Sequence, residues 1–132
     1  MSELTRIQIV LCLQSTDLFS FCRAEEVLRL AGIARERPLA EGETIYPHNG
    51  PADSLYAVVH GEVRLRGADG PERLVGPLQT FGVRDILCGR LRGESAVAAK
   101  ESLVLAIEAE DFFDLLANNI DIVKALFRHL LA

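Results

Sequence analysis

The sequence predicts an α+β domain: a β-roll, of the double-stranded β-helix or jelly-roll type, flanked by N-terminal and C-terminal helices. Two observations carry this. Apolar residues recur at helical spacing near both ends. Between them lie short alternating runs, punctuated by nine of the ten glycines and all five prolines. With 132 residues, 49% hydrophobic and 25% charged, the chain has the size and composition of one folded domain.

The first zone, residues 1–34, holds two short helices. Leu4, Ile7 and Leu11 mark the inward face of the first, which Ser2 and Glu3 introduce. Val27, Leu28, Leu30 and Ala31 mark that of the second, with Gly32 as its stop. Asp17 to Phe21 is a turn that plants two aromatic rings. The second zone, 35–107, is the roll. In Ser54 to His60, Leu55, Ala57 and Val59 oppose Tyr56 and Val58. In Glu62 to Arg66, Val63 and Leu65 face in while Glu62, Arg64 and Arg66 face water. Ala68-Asp69-Gly70-Pro71 signals a hairpin loop. Leu103, Leu105 and Ile107 share one face of a late strand. In the third zone, 109–132, Phe112, Leu115 and Leu116 form one helical stripe. Ile120, Val123, Phe127, Leu130 and Leu131 form another, which needs a partner surface. Glu110 and Asp111 suit a helix start, and Asn118-Asn119 splits the segment. The expected unit is a single domain, 1–132.

Composition excludes several function classes. A net charge of -5 argues against indiscriminate nucleic-acid binding. Apolar runs such as Ile9 to Leu13 fall far short of the roughly 20 residues of a membrane-spanning helix. The N-terminus lacks the features of a signal peptide. Cys12, Cys22 and Cys88 show no CxxC spacing and read as buried, reduced thiols in a cytoplasmic protein. His48, His60 and His129 stand too far apart for a metal motif. No GxSxG or GxxxxGK[ST] pattern exists, so no enzyme is expected.

The stretch from Gln79 to Val97 interrupts the strand pattern. A helical turn starting after Gly82 points backbone N–H groups outward, and Arg84, Arg90 and Arg92 crowd within nine residues. Amides and a guanidinium converging there suit a phosphate. The alternative is a solvated rim, with Arg92 paired to Glu94 or another rim acid.

This stretch resembles the phosphate-binding cassette of the cyclic-nucleotide-binding domain family. Phe81-Gly82 matches its opening, Ile86-Leu87 its apolar turn, Gly89 its glycine, Arg92 its arginine and Ser95 its small hydroxyl residue. Leu55 to Val63 resembles the family's strand, glycine and strand. Glu41 to Tyr46 with Gly50 resembles its opening strands, Leu13 to Phe19 its first helix and turn, and Glu110 to Phe112 the helix after the roll. The resemblance implies a regulatory domain that binds a cyclic nucleotide, such as cAMP or cGMP, and needs no other cofactor. Its site would comprise Gly82, Val83, Arg84, Arg92, Gly93 and Ser95. The ring phosphate would meet Arg92 and the amides after Gly82. The base would lie against apolar strand residues and the last helix, which closes as a lid. Signalling would pass through the C-terminal helices to a second copy or an attached effector domain. The family's transcription regulators carry a helix-turn-helix after the lid helix. Because this chain stops at Ala132, direct DNA binding is not expected.

The cassette also departs from the pattern. The glutamate that holds the ribose 2′-hydroxyl is Val83. Asp85, two residues on, is expected to point elsewhere. Leu91 replaces a proline, Gly93 stands after the arginine, and Glu94 brings an acid toward the anion. The alternative function is therefore a site without nucleotide, on a domain that acts as an interaction or dimerisation module.

Overall fold

The computed structural model describes residues 4–20 and 22–131. Two helices, α1 (Arg6–Gln14) and α2 (Ala24–Ile33), precede eight strands. These are β1 (Arg35–Leu39), β2 (Thr44–Tyr46), β3 (Ser54–His60), β4 (Val63–Gly67), β5 (Arg73–Val75), β6 (Thr80–Phe81), β7 (Glu94–Ala98) and β8 (Ser102–Glu108). A short helix, α3 (Val83–Cys88), sits between β6 and β7, and α4 (Ala109–Ala117) and α5 (Ile120–Leu131) follow the strands. Two antiparallel sheets, ordered β1-β8-β3-β6 and β2-β7-β4-β5, form the roll.

Alternation along the strands creates two cores. Tyr56, Val58 and Val104 point between the sheets, with Val63, Leu65, Phe81 and Ala96. Their neighbours Leu55, Ala57, Leu105 and Ile107 point the other way, into a second core with Val27, Leu30, Phe112 and Ile122 from the helices. Thus β3 and β8 are covered on both faces, by the opposite sheet and by the helices. Phe19, 1% exposed, meets Phe112 edge to face at 6.4 Å, which ties the N-terminal turn to α4. Phe21, expected to be the second planted ring, lies outside the described residues, as do Ser2 and Glu3.

Several local expectations need correction. In α1, Ile7 and Leu11 are 72% and 57% exposed, and Leu13 is the buried residue. Apolar residues stand nearly all round this helix, so packing against α2 chooses the face. Its N-terminus is capped by Thr5, whose hydroxyl accepts from the Gln8 N–H at 3.2 Å while the Gln8 side chain accepts from the Thr5 N–H at 2.8 Å. In α2, Leu28 is exposed, and the helix runs through Gly32 to Ile33 before β1 pulls the chain into pairing with β8. In α5, Ile122, Ala125 and Leu126 are buried, whereas Ile120, Phe127 and Leu131 of the expected stripe are 64%, 59% and 80% exposed. This helix has two apolar stripes, and the hydrophobic core takes the one at 122, 125 and 126. Cys88, expected to be buried, is exposed, because α3 buries Val83 and Ile86 instead. Cys22 is buried, and burial first, then the Glu26 and Asp121 carboxylates, pushes its thiol up to about 11.

The connection from β3 to β4 is tightly packed. Gly61 has φ +97°, and a Cβ there would stand 2.0 Å from the Ser102 hydroxyl oxygen and 2.6 Å from the Ser102 Cα. That hydroxyl accepts from the Glu62 N–H at 3.0 Å and donates to the Lys100 carbonyl at 2.7 Å. Gly70, in the β4–β5 hairpin, has open space around the same position. Urea unfolding should therefore show Gly61→Ala destabilised by about 3 kcal/mol or more, and Gly70→Ala within about 0.5 kcal/mol of the parent. Equal midpoints for the two variants would refute this account of the turn.

Candidate functional site

The centre of the cassette is Arg92, in the segment that leads into β7. Its side chain is 0% exposed. A guanidinium removed from water needs acceptors, and here backbone carbonyls supply them. One terminal nitrogen donates to the Gly82 carbonyl at 2.6 Å, and the other donates to the Ser54 carbonyl. The guanidinium carbon lies 4.0 Å from the centre of the Tyr46 ring, a cation–π contact. Burial pushes the Tyr46 phenol up to about 12, so the ring is neutral at pH 7, although the Arg92 charge pulls the other way. The Arg92 Nε is a buried donor without a hydrogen-bond partner among the described residues. The Arg92 backbone is held too. Its N–H donates to the Gly50 carbonyl at 2.9 Å, and its carbonyl accepts from the Asn49 N–H at 2.8 Å.

Gly82 makes this burial sterically feasible. It caps α3 with φ +88°, and a Cβ there would stand 3.0 Å from one guanidinium nitrogen and 3.4 Å from the Ser54 carbonyl oxygen. Val83, the next residue, is 6% exposed and belongs to the core that faces the helices. Its side chain offers no acceptor for a ribose hydroxyl.

A cavity of about 540 Å³ opens in front of this arrangement. Gly82, Val83, Arg84 and Gly93 line it, together with Tyr46, Phe81 and, from α5, His129 and Leu130. Arg92 lies enclosed behind its wall. Ser95 is not among the lining residues, and its hydroxyl stands 3.4 Å from the Arg66 carbonyl on the paired strand. Of the six residues expected in the site, four therefore share the cavity in this conformation. A larger concavity of about 870 Å³, lined in part by Pro38, His60 and Glu101, contains none of them. The cavity at the cassette is the chemically relevant one, because it joins charged cassette side chains to the last helix.

One expectation about charge is corrected here, and of the acids weighed as partners of Arg92 it is Asp85, not Glu94, that approaches it. Asp85 does not point elsewhere: it lines the cavity, accepts from the Arg90 Nε at 2.7 Å and lies 3.8 Å from an Arg92 nitrogen. Glu94 does not pair with Arg92. It lies 3.2 Å from Arg73, across the strands. The short turn of α3 brings Asp85 round to Arg90. A Cβ at Gly93 would lie 3.9 Å from the Asp85 carboxylate. Sequence reasoning also missed Tyr46, Asp17 and Arg73. Asp17 accepts from the Thr80 N–H at 3.1 Å and from its hydroxyl at 2.7 Å. These contacts span 63 residues, and no local pattern announces them. The Asp85–Arg90–Arg92 spacing was the one available signal. Among the described residues, Arg84 is the cavity cation without an ion pair, and no cluster of three or more potential ligands suits a metal.

Arg92→Lys should lose about 1–3 kcal/mol in urea unfolding, because an ammonium cannot serve both carbonyls and lie flat on Tyr46. Gly82→Ala should lose a similar amount, about 1–3 kcal/mol, from positive φ and the displaced guanidinium. A Gly82→Ala midpoint equal to the parent's would show that the close approach is absent.

Residues 36–119 match the sequence pattern of the cyclic nucleotide-binding domain. The Cyclic AMP receptor protein of Thermus thermophilus is 31% identical over 109 residues, which are 79% of this chain and 50% of that protein. The chain thus spans about half the length of this relative. The crystal structure of the Catabolite Activator Protein of Thermus thermophilus superposes with a TM-score of 0.76 at 32% identity, over 88% of this chain and 57% of that one. The sensor domain of the transcriptional regulator DNR from Pseudomonas aeruginosa has a TM-score of 0.80 over 92% of this chain and 89% of that one. At 19% identity, that likeness is one of fold. The cassette, the roll and a family match over more than half of its length place this chain in the cyclic nucleotide-binding domain family.

Proposed function

We propose that this chain is a regulatory domain that senses a small phosphate-bearing ligand, a cyclic nucleotide first among the candidates, in the cavity between the cassette and α5. One observation carries this reading: the cavity has cassette residues on one wall and His129 and Leu130 of the last helix on another. A ligand that touches both walls favours one position of α5 over others, which is how occupancy becomes a signal. The volume of about 540 Å³ suits a mononucleotide. Arg84, exposed and without an ion pair among the described residues, is the cation available to a phosphate. Arg92, fully enclosed, supports the wall from behind. The role is regulatory rather than catalytic, in keeping with the family. One relative is a cyclic AMP receptor by name, which makes cyclic AMP the first ligand to test. Val83 in place of an acceptor for the ribose hydroxyl costs about 1.5–3 kcal/mol, a roughly 10- to 100-fold loss of affinity.

Calorimetry with cyclic AMP and cyclic GMP tests this. Saturable heat below millimolar ligand is expected, with slower hydrogen exchange across residues 120–131 in the complex. A folded protein that gives no heat at millimolar concentrations of either ligand overturns the reading.

A second reading, a ligand-independent dimerisation module, is favoured by the outer face of α5, where Ile120, Phe127 and Leu131 are more than half exposed. Its occupant would be a second copy of the chain. Sedimentation should then show a dimer that Phe127→Glu converts to monomer. A parent chain that is strictly monomeric removes the basis for this reading.

A further inference from the structure

The cassette carries an anion of its own. Asp85 is the third residue of α3, and its side chain is 15% exposed. One carboxylate oxygen accepts from the Arg90 Nε at 2.7 Å, and the other lies 3.8 Å from the nearest Arg92 nitrogen. The Arg90 N–H also donates to the Asp85 carbonyl at 3.1 Å, which closes the loop back onto α3. Gly93 stands beside the carboxylate, where a Cβ would make an ordinary contact at 3.9 Å. Asp85, Arg90 and Gly93 all line the cavity. Two guanidiniums of the cassette, those of Arg90 and Arg92, therefore already converge on a carboxylate that belongs to the chain.

We propose that Asp85 is a specificity-determining residue, an internal counter-anion that competes with a ligand's phosphate for Arg90 and for the field of Arg92. This deepens the ligand-sensing reading and rests on it for the identity of the anion. Three physical reasons support it. The carboxylate is tethered, so it holds its place at a high effective concentration that a free phosphate must exceed. It is mostly out of water, so salt screens its charge poorly. It carries the ligand's own sign, so an entering phosphate meets repulsion until the Asp85–Arg90 contact opens. With Asp85 counted, the acids and arginines that line the cavity balance, Arg73, Arg84 and Arg90 against Asp17, Asp85 and Glu94. Neutralising Asp85 tips this balance toward the anion and frees Arg90. Asp85 thereby sets a threshold: inorganic phosphate alone is turned away, and only a ligand that gains binding energy elsewhere in the cavity displaces the carboxylate.

The test compares the full chain with Asp85→Asn, which keeps the shape and removes the charge. Both are titrated by calorimetry with cyclic AMP and with inorganic phosphate, at low and high salt, after circular dichroism establishes a common fold. Asp85→Asn should bind cyclic AMP at least about tenfold more tightly than the parent, with a steeper salt dependence. Inorganic phosphate should raise the melting temperature of the variant and leave that of the parent unmoved. Asp85→Ser serves the same comparison if the asparagine variant does not fold. A variant that binds no more tightly than a binding parent overturns the role of Asp85 and leaves the ligand-sensing reading standing. A variant that binds where the parent does not supports the role of Asp85 and overturns ligand sensing by the parent. If neither binds, both fall.

Discussion

One buried guanidinium organises the cassette. Moving a charge of that size out of water costs several kcal/mol unless acceptors and an aromatic face replace the solvent. Arg92 finds them on three separate segments: the carbonyl of Gly82 before α3, the carbonyl of Ser54 at the start of β3, and the ring of Tyr46 at the end of β2. These segments are distant in sequence, so the side chain acts as a cross-link between the two sheets and the short helix. The lack of a Cβ at Gly82 follows from it, because a methyl group there would occupy the space of the guanidinium. The aromatic layer follows too. Tyr56 and Phe81 stack 5.1 Å apart beside Tyr46 and continue its apolar surface into the core of the roll.

The arginines of the cassette stand in two positions. Arg92 holds the wall, whereas Arg84, Arg90 and Arg73 face the cavity. Two of those three have acidic partners, Asp85 and Glu94. Electrostatically the cavity is nearly neutral rather than a basic well. A phosphate ligand would have to rearrange existing ion pairs to bind. The exposed members of those pairs yield readily, since exposed ion pairs contribute little, but the mostly buried Asp85 carboxylate does not.

The two-sided strands join the cassette to the helices. β3 and β8 bury one set of residues between the sheets and the alternate set under the helices. A displacement at α3, which contributes Val83 and Ile86 to the helical core, meets Phe112, Ile122 and Leu126 in the same packed cluster. Close-packed side chains transmit small shifts rather than absorb them. The link from cassette to α5 is thus a contiguous body of apolar contacts, completed by His129 and Leu130 at the cavity edge.

The sequence by itself determined the architecture. Alternation in Ser54 to His60 and Glu62 to Arg66, glycine- and proline-rich turns and helical stripes at both ends were legible because each depends on a local period of the backbone. The helical turn after Gly82 was legible as well, and the cassette was legible through the resemblance of Phe81-Gly82, Gly89 and Arg92 to the family's pattern. Only the tertiary structure decided which stripe of α1 and α5 faces inward, because both helices have more than one apolar side and the packing partner makes the choice. It alone decided the state of the charges. The fate of Arg92 depends on carbonyls at positions 82 and 54 and a ring at 46, and that of Asp85 on a turn of chain through Arg90. Hydrogen bonds and ion pairs act over a few ångströms of space, and sequence separation does not encode that distance until the chain has folded.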